Sequence, residues 1–489
     1  MSAPPSTPAP APDALVSRSA GPVALRGGAL RAVGYGVGVL LTLAAVPILI
    51  RHLGIGDFGR YTTVVVLVSI VAGITEGGVN AVAQREYATQ DGEVRERVMR
   101  QLLGLRIALT LGGVAAALIF AVVAGYDQVL VVGTLLAGAG LLLASMQALT
   151  VSVLQAQLRF GWSTAIDLVR QALTAVLIVV LALAGVGLLP FLAVPIVAGL
   201  VGLAASAWLV RRSMPLRPAF TIKEWRPLAR DTLPYAAAIA LNATYFRLAV
   251  IVMSLQASEL QTGYYATAFR VVEVLLMVPA LAIGAAFPIL ARSAADDRLR
   301  FDYAAGRIVE LALIAGTWVA LSVALGAQVA IDVLAGDAQP AVGVLQIQGM
   351  ALMASFVAIG GSFVLLALRR HAEILLANGA ALVVAVVLTL LLVPALEARG
   401  AALAITLAET TTAAMTLAFL FRARPHLRRA LRAVPAVLVA GAAGAAVALV
   451  PSLPATADVL LGSAVFFAVL AALRRFPPEV RDALRRGQG

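Results

Sequence analysis

A few charged side chains stand inside long apolar runs, and their chemistry is that of holding ions rather than breaking bonds. Arg247 lies a little past the middle of one run, with no opposite charge within a helical turn. A guanidinium stays charged when desolvated and offers a planar fork of donors to phosphate oxygens. Arg270 and Glu273 are three residues apart, hence on one helix face of another run. Glu76, with Asn80 four residues on, and Glu310 and Glu409 stand within further runs. Unpaired carboxylates in such places are the usual proton or sodium sites of secondary transporters. Each position also has a bland reading. Arg247 fits a structural pair with a glutamate on another helix, Arg270 and Glu273 fit a self-neutralising pair, and any of the three other glutamates could balance Arg247. Asp167 with Arg170, near a run's end, reads as structural, and so does Arg106, close enough to a polar connection to snorkel.

The elements that must position these groups are membrane helices. Fourteen apolar stretches, each about the length needed to cross a ~30 Å hydrocarbon layer, run from Gly28 to Leu473 with short polar connections. The chain is 61% hydrophobic and only 13% charged over 489 residues, too little polar surface to coat a soluble globule. Runs without strict alternation argue for helices rather than a closed barrel, so the expected class is an all-α polytopic bundle. A charge near the bilayer centre costs at least ~2.5–3.5 kcal/mol on insertion scales, so each charge above should face a cavity or a partner. With no cysteine, and with His52, His371 and His426 all in connections, neither a disulfide nor a buried cysteine or histidine metal centre is expected. No glycine-rich phosphate loop ending in Lys-Ser or Lys-Thr is present, and no extramembrane segment is long enough for a catalytic module. The expectation is a non-enzyme without a catalytic site or resident cofactor, energised by Na+ or H+ coupling, membrane potential or consumption of cargo.

The basic connections are all even-numbered; the sixth carries Arg211, Arg212, Arg217 and Lys223, and the twelfth Arg422, Arg424, Arg428 and Arg429. Positive loops stay inside, so both termini are expected to be cytoplasmic, in a bacterial-type inner membrane. The net charge of +12 is thereby spread over one membrane face, where it meets lipid headgroups rather than nucleic acid. Arg51 and Arg60, in the first external loop, depart from this rule. The expected organisation is a disordered Pro/Ala-rich tail (1–24), a six-helix lobe (25–210), a basic linker (211–232), a second six-helix lobe (233–421), accessory helices thirteen and fourteen (422–473) and a basic tail (474–489).

Gly54-Ile55-Gly56-Asp57-Phe58-Gly59-Arg60-Tyr61 and Ser258-Glu259-Leu260-Gln261-Thr262-Gly263-Tyr264-Tyr265 place an acidic residue, an apolar residue, a glycine and a tyrosine at equivalent points if spans one to six and seven to twelve are two copies. Six spans is an even number, so the copies face the same way, the geometry of alternating access. The run from Arg51 to Tyr61, followed by Glu76-Gly77-Gly78-Val79-Asn80 and Gln84-Arg85-Glu86, and the run from Gly263 to Glu273 ending at Pro288, resemble polysaccharide-biosynthesis flippases of the multidrug/oligosaccharidyl-lipid/polysaccharide (MOP) exporter superfamily. The resemblance implies a V-shaped two-lobe transporter that moves polyprenyl-diphosphate-linked sugars from the inner to the outer leaflet, with the last two helices accessory. It implies a diphosphate ligand for Arg247, for Arg270 beside Glu273, and for Arg51 and Arg60 after translocation; the last two equally suit helix-end caps. Partners implied are the lipid-linked glycan, membrane lipids, and a glycan polymerase or glycosyltransferases. Span one lacks charge between Arg31 and Arg51, unlike lipid II flippases, which favours a polysaccharide or cell-wall glycan unit as cargo. Two alternatives stand beside this reading. A drug/cation antiporter of the same superfamily would favour acidic cavity residues, and an integral-membrane glycosyltransferase or polymerase would need a large external loop.

Overall fold

The computed structural model describes residues 20–76, 78–225, 247–449 and 454–475, which are helical nearly throughout, with no strand among them. The long helices are α1 (Ala20–Glu76), α2 (Val79–Thr89), α3 (Gly92–Val123), α4 (Gln128–Ala156), α5 (Phe160–Leu183), α6 (Leu188–Val210), α7 (Arg247–Gln256), α8 (Glu259–Asp296), α9 (Arg298–Ala335), α10 (Gln339–Ala367), α11 (His371–Ala423), α12 (Val434–Ala445) and α13 (Ala455–Ala472). A 3-10 segment (Pro425–Ala433) leads into α12.

Eleven helical stretches among the described residues are long and apolar enough to cross a membrane. Two of them, Gly36–Thr89 and His371–Ala423, are 54 and 53 residues long. At 1.5 Å per residue each would run about 80 Å, more than twice the hydrocarbon thickness. Each is accordingly broken, at Gly54 (φ +76°) and at Glu397 (φ +48°). Counting both as two crossings, and α7 as the described end of the expected seventh span, accounts for the fourteen crossings. Most of that seventh span, residues 233–246, lies outside the described residues, as do residues 1–19 of the expected tail. One expected span departs from a single helix. In the second crossing α1 ends at Glu76 and α2 begins after Gly78, whose φ of +79° only glycine adopts readily.

The chain forms two compact units. Unit 1 is Met1–Leu49 with Leu67–Ala240, and unit 2 is Ile50–Val66 with Leu241–Gly489. In unit 1, α4 packs against α2, α3, α5 and α6 around buried Met99, Leu102, Leu149 and Leu154. In unit 2, α10 packs against α8, α9 and α11, and α12 and α13 pack on each other and on α9. Trp318 Nε1 donates to Ser463 Oγ at 3.0 Å across the α9–α13 contact. The six-span repeat is visible in the turns. Left-handed residues follow α3, α4 and α5 at Gly125, Leu158 and Gly185, and recur at the equivalent points Gly336, Arg369 and Glu397. At four of these turns, those at Gly125, Leu158, Gly185 and Arg369, the same pair of capping bonds forms, as in Leu158 N to Gln155 O with Arg159 N to Leu154 O, and Arg369 N to Leu366 O with Arg370 N to Leu365 O.

Candidate functional site

The sequence-selected charges fall into four settings. The first lies in unit 2, where α7 and α8 carry Arg247, Arg270 and Glu273. Arg270 Nη1 donates to Glu273 Oε2 at 2.8 Å, and both side chains keep substantial exposure, 26% and 45%. Arg247 is half-buried and feels first the charge of Glu273 and then that of Arg270. Arg270 also acts on Tyr61. Two guanidinium groups therefore act on one carboxylate, Glu273, among apolar helices.

The second setting ties down the arginines of the first loop. Arg51 Nη2 donates to the carbonyls of Asp332 and Val333, both at 2.8 Å, closing the C-terminal end of α9, where a helix presents free carbonyls and favours a cation. Arg60 pairs with Asp57 at 3.4 Å and with Glu259 at 3.2 Å. The two motifs that carry the repeat meet here. A Cβ on Gly59 would strike the Glu259 carbonyl, and one on Gly263 would strike that of Ile55, so glycine is required for backbone to approach backbone.

The third setting is unit 1. Arg106 does not snorkel, contrary to its reading from the sequence; it is fully buried. Its Nη1 donates to the Thr75 carbonyl at 2.5 Å and its Nη2 lies 3.6 Å from Glu76 Oε1. The cause is the break after Glu76, because a helix that ends inside the bundle frees carbonyls that need a donor. Glu76 is thus an ion-pair partner, and with Asn80, Asp167 and Arg170 it lines a cavity of about 310 Å³.

The fourth setting scatters the remaining carboxylates through unit 2. Glu310 accepts from Arg307 at 2.6 Å and lines a cavity of about 520 Å³ with Asp302 and His426, which are 2.6 Å apart. Glu409 is buried and accepts from the Ser355 hydroxyl at 2.6 Å. Sequence reasoning passed over the carboxamides Gln84, Gln147 and Gln155 that also line the unit 1 cavity. Their signal was present as spacing: Asn80 and Gln84 are four apart on α2, and Gln147 and Gln155 are eight apart on α4, the repeat of one helix face.

The family model described as polysaccharide biosynthesis protein matches residues 24–294, more than half of the chain. The chain belongs to that family. No curated protein matches it in sequence. Among solved structures, the lipid II flippase MurJ in an inward closed conformation gives a TM-score of 0.73 at 13% identity, over 91% of this chain and 99% of that one. An inward-facing multidrug resistance MATE family transporter of the MOP superfamily gives 0.66 at 15% identity, over 82% and 99%. A MOP superfamily transporter from Pyrococcus furiosus gives 0.55 at 16% identity, over 83% and 96%. At such identities the likeness is one of fold, so this polysaccharide biosynthesis protein is a multi-pass helical membrane protein of MOP architecture.

Proposed function

We propose that the protein is a flippase that carries a polyprenyl-diphosphate-linked oligosaccharide, a polysaccharide or cell-wall glycan unit, from the inner to the outer leaflet by alternating access. The observation that supports this reading is the excess of cation over anion at Arg247, Arg270 and Glu273, where Arg270 and Glu273 remain partly exposed although the setting is apolar. An anionic ligand such as a diphosphate relieves that excess, and guanidinium groups suit its oxygens. A drug/cation antiporter has no use for such a cluster. Arg51 and Arg60, held by helix-end carbonyls and carboxylates, serve the architecture first and meet cargo only if those contacts open. For coupling to Na+ or H+, the candidates are Glu76, beside Arg106, with Asn80, Glu310, beside Arg307, and the buried Glu409, which accepts from Ser355. In this reading the protein sits in the cytoplasmic membrane with both termini inside, and glycosyltransferases or a polymerase make and use its cargo.

The test is glycan export in cells. Replacing both arginines, Arg247→Ala with Arg270→Ala, is expected to abolish export while membrane insertion and expression hold. Export at the wild-type level in that variant rejects the cationic mechanism.

A further inference from the structure

Where α9 begins its crossing in unit 2, the 3-10 segment Pro425–Ala433 packs on it, and the two enclose a cavity of about 520 Å³. Nine residues is long for a 3-10 run, which seldom exceeds about three or four, so side chains must hold this one in place. Leu427 is buried with Phe301, Ala305 and Val309 of α9, His426 Nε2 lies 2.6 Å from Asp302 Oδ2, and the Arg424 guanidinium stands over the Phe301 ring. The cavity therefore has fixed walls, with Tyr303, Arg307 and Glu310 on the α9 side and His426, Arg429 and Ala430 on the other.

Its charges do not cancel. Asp302 is engaged by His426 and, at 3.9 Å, by Arg424, while Glu310 accepts from Arg307 at 2.6 Å. Arg429 lines the same cavity, is exposed, and makes no hydrogen bond or ion pair among the described residues. Arg307, Arg424 and Arg429 thus stand against Asp302 and Glu310, an excess of cation that holds even with His426 neutral. Arg428 and Arg432, exposed on the same segment, add to it. The complementary ligand is an anion, and a guanidinium fork suits phosphate oxygens.

The place of the cavity selects among phosphates. Leu299 and Tyr303 line it and are exposed. Beyond Glu310, α9 runs on as an apolar crossing, and the 3-10 segment leads into the next one. Exposed apolar side chains follow along both, Trp318 on α9 and Leu438 and Val439 on α12. A cationic cavity at the entry of two membrane helices is matched by a phosphate that carries acyl chains, because one ligand then satisfies the cation and the apolar faces together.

We infer that this cavity binds an anionic phospholipid of the adjoining leaflet, with its phosphate on Arg429 and its acyl chains along α9 and α12. The bound lipid ties the accessory helices to α9, a role separate from cargo recognition at Arg247 and Arg270. The inference needs only the membrane fold and stands whatever the cargo.

Native mass spectrometry of the full-length protein in a non-ionic detergent reads the site directly. The probes are dioleoyl phosphatidylglycerol, dioleoyl phosphatidylcholine and glycerol phosphate, which has no acyl chain. Phosphatidylglycerol is expected to bind about fivefold more tightly than phosphatidylcholine, the worth of one guanidinium beside an anionic headgroup. Arg429→Gln is expected to bring the two phospholipids to parity. Arg211→Gln with Arg212→Gln, which removes two exposed cations of unit 1, is expected to leave the preference intact. Gly306→Leu fills the cavity without altering a charge and is expected to abolish the preference too, which keeps the test whole should Arg429→Gln fold poorly. Equal binding of the two phospholipids by the wild type, or a preference that survives both cavity variants, overturns the site. A preference lost as fully with Arg211 and Arg212 replaced reduces it to diffuse attraction by the basic loops and also overturns the inference. Glycerol phosphate bound as tightly as phosphatidylglycerol, and through Arg429, makes the cavity a site for soluble phosphates and overturns the lipid.

Discussion

Arg106 in unit 1 and Arg270 in unit 2 are both arginines within apolar helices, yet they are handled in opposite ways. Arg106 is among the largest fully buried side chains of the described residues, and its guanidinium is spent on a helix end, the Thr75 carbonyl, and on Glu76. Arg270 keeps a quarter of its side chain exposed and shares Glu273 with Arg247. An intramembrane charge is therefore not by itself a mark of function. The separating observation is whether the charge completes the backbone or is left open to a ligand.

The strongest way to break that contrast is to remove each arginine and read stability and transport separately. Arg106→Leu strands a buried carbonyl and leaves Glu76 without its cation, and is expected to cost about 3 kcal/mol in reversible unfolding in mixed micelles. Arg270→Ala is expected to cost less than about 1 kcal/mol, because its pair is partly exposed and local, while export is lost. Equal destabilisation by the two variants would erase the distinction between a structural and an open charge.

A smaller effect probes the backbone contacts. Gly263 in unit 2 faces the Ile55 carbonyl within one helix-helix crossing, whereas Gly104 in unit 1 faces the Ala219 carbonyl of a non-helical strap. The strap is tied to α3 by Ala219 N donating to the Arg100 carbonyl at 3.0 Å, and a non-helical segment can lift where a helix must shift whole. Gly263→Ala is expected to lower stability by about 2 kcal/mol and Gly104→Ala by about 1 kcal/mol. A thermal melt in detergent that ranks them the other way would show the strap to be the stiffer partner.

How far the chain could be read before its structure follows from the same physics. The crossings were legible because a bilayer demands length and apolarity, both local properties, and the breaks at Gly54 and Glu397 fall in the short polar connections expected after the first and eleventh spans. The role of Arg106 was not legible: distance along the chain placed it near a polar connection, and nothing local announces that another helix ends beside it at Glu76. The carboxamides were missed because glutamine carries no charge to mark its depth, although its spacing kept one helix face. That Ile50–Val66 packs with unit 2 is a fact of long-range contact, which sequence order does not contain.

The equivalent turns after α4 and α10 give the finest comparison, since Leu158 and Arg369 hold the same left-handed conformation and the same two capping bonds. A side chain with a Cβ is strained there by roughly 1–2 kcal/mol, and glycine relieves the strain at the cost of a more mobile unfolded chain. At Arg369 the side chain is exposed and packs little, so Arg369→Gly is expected to raise stability by about 0.5–1 kcal/mol. At Leu158 the side chain is half-buried, and Leu158→Gly loses apolar burial that offsets the relief, so its net effect is expected near zero. Melting temperatures in one detergent compare the pair directly. A gain at Leu158 as large as that at Arg369 would mean that backbone strain alone sets both turns, whereas a loss at both would mean that neither is strained and that the side chains hold these turns closed.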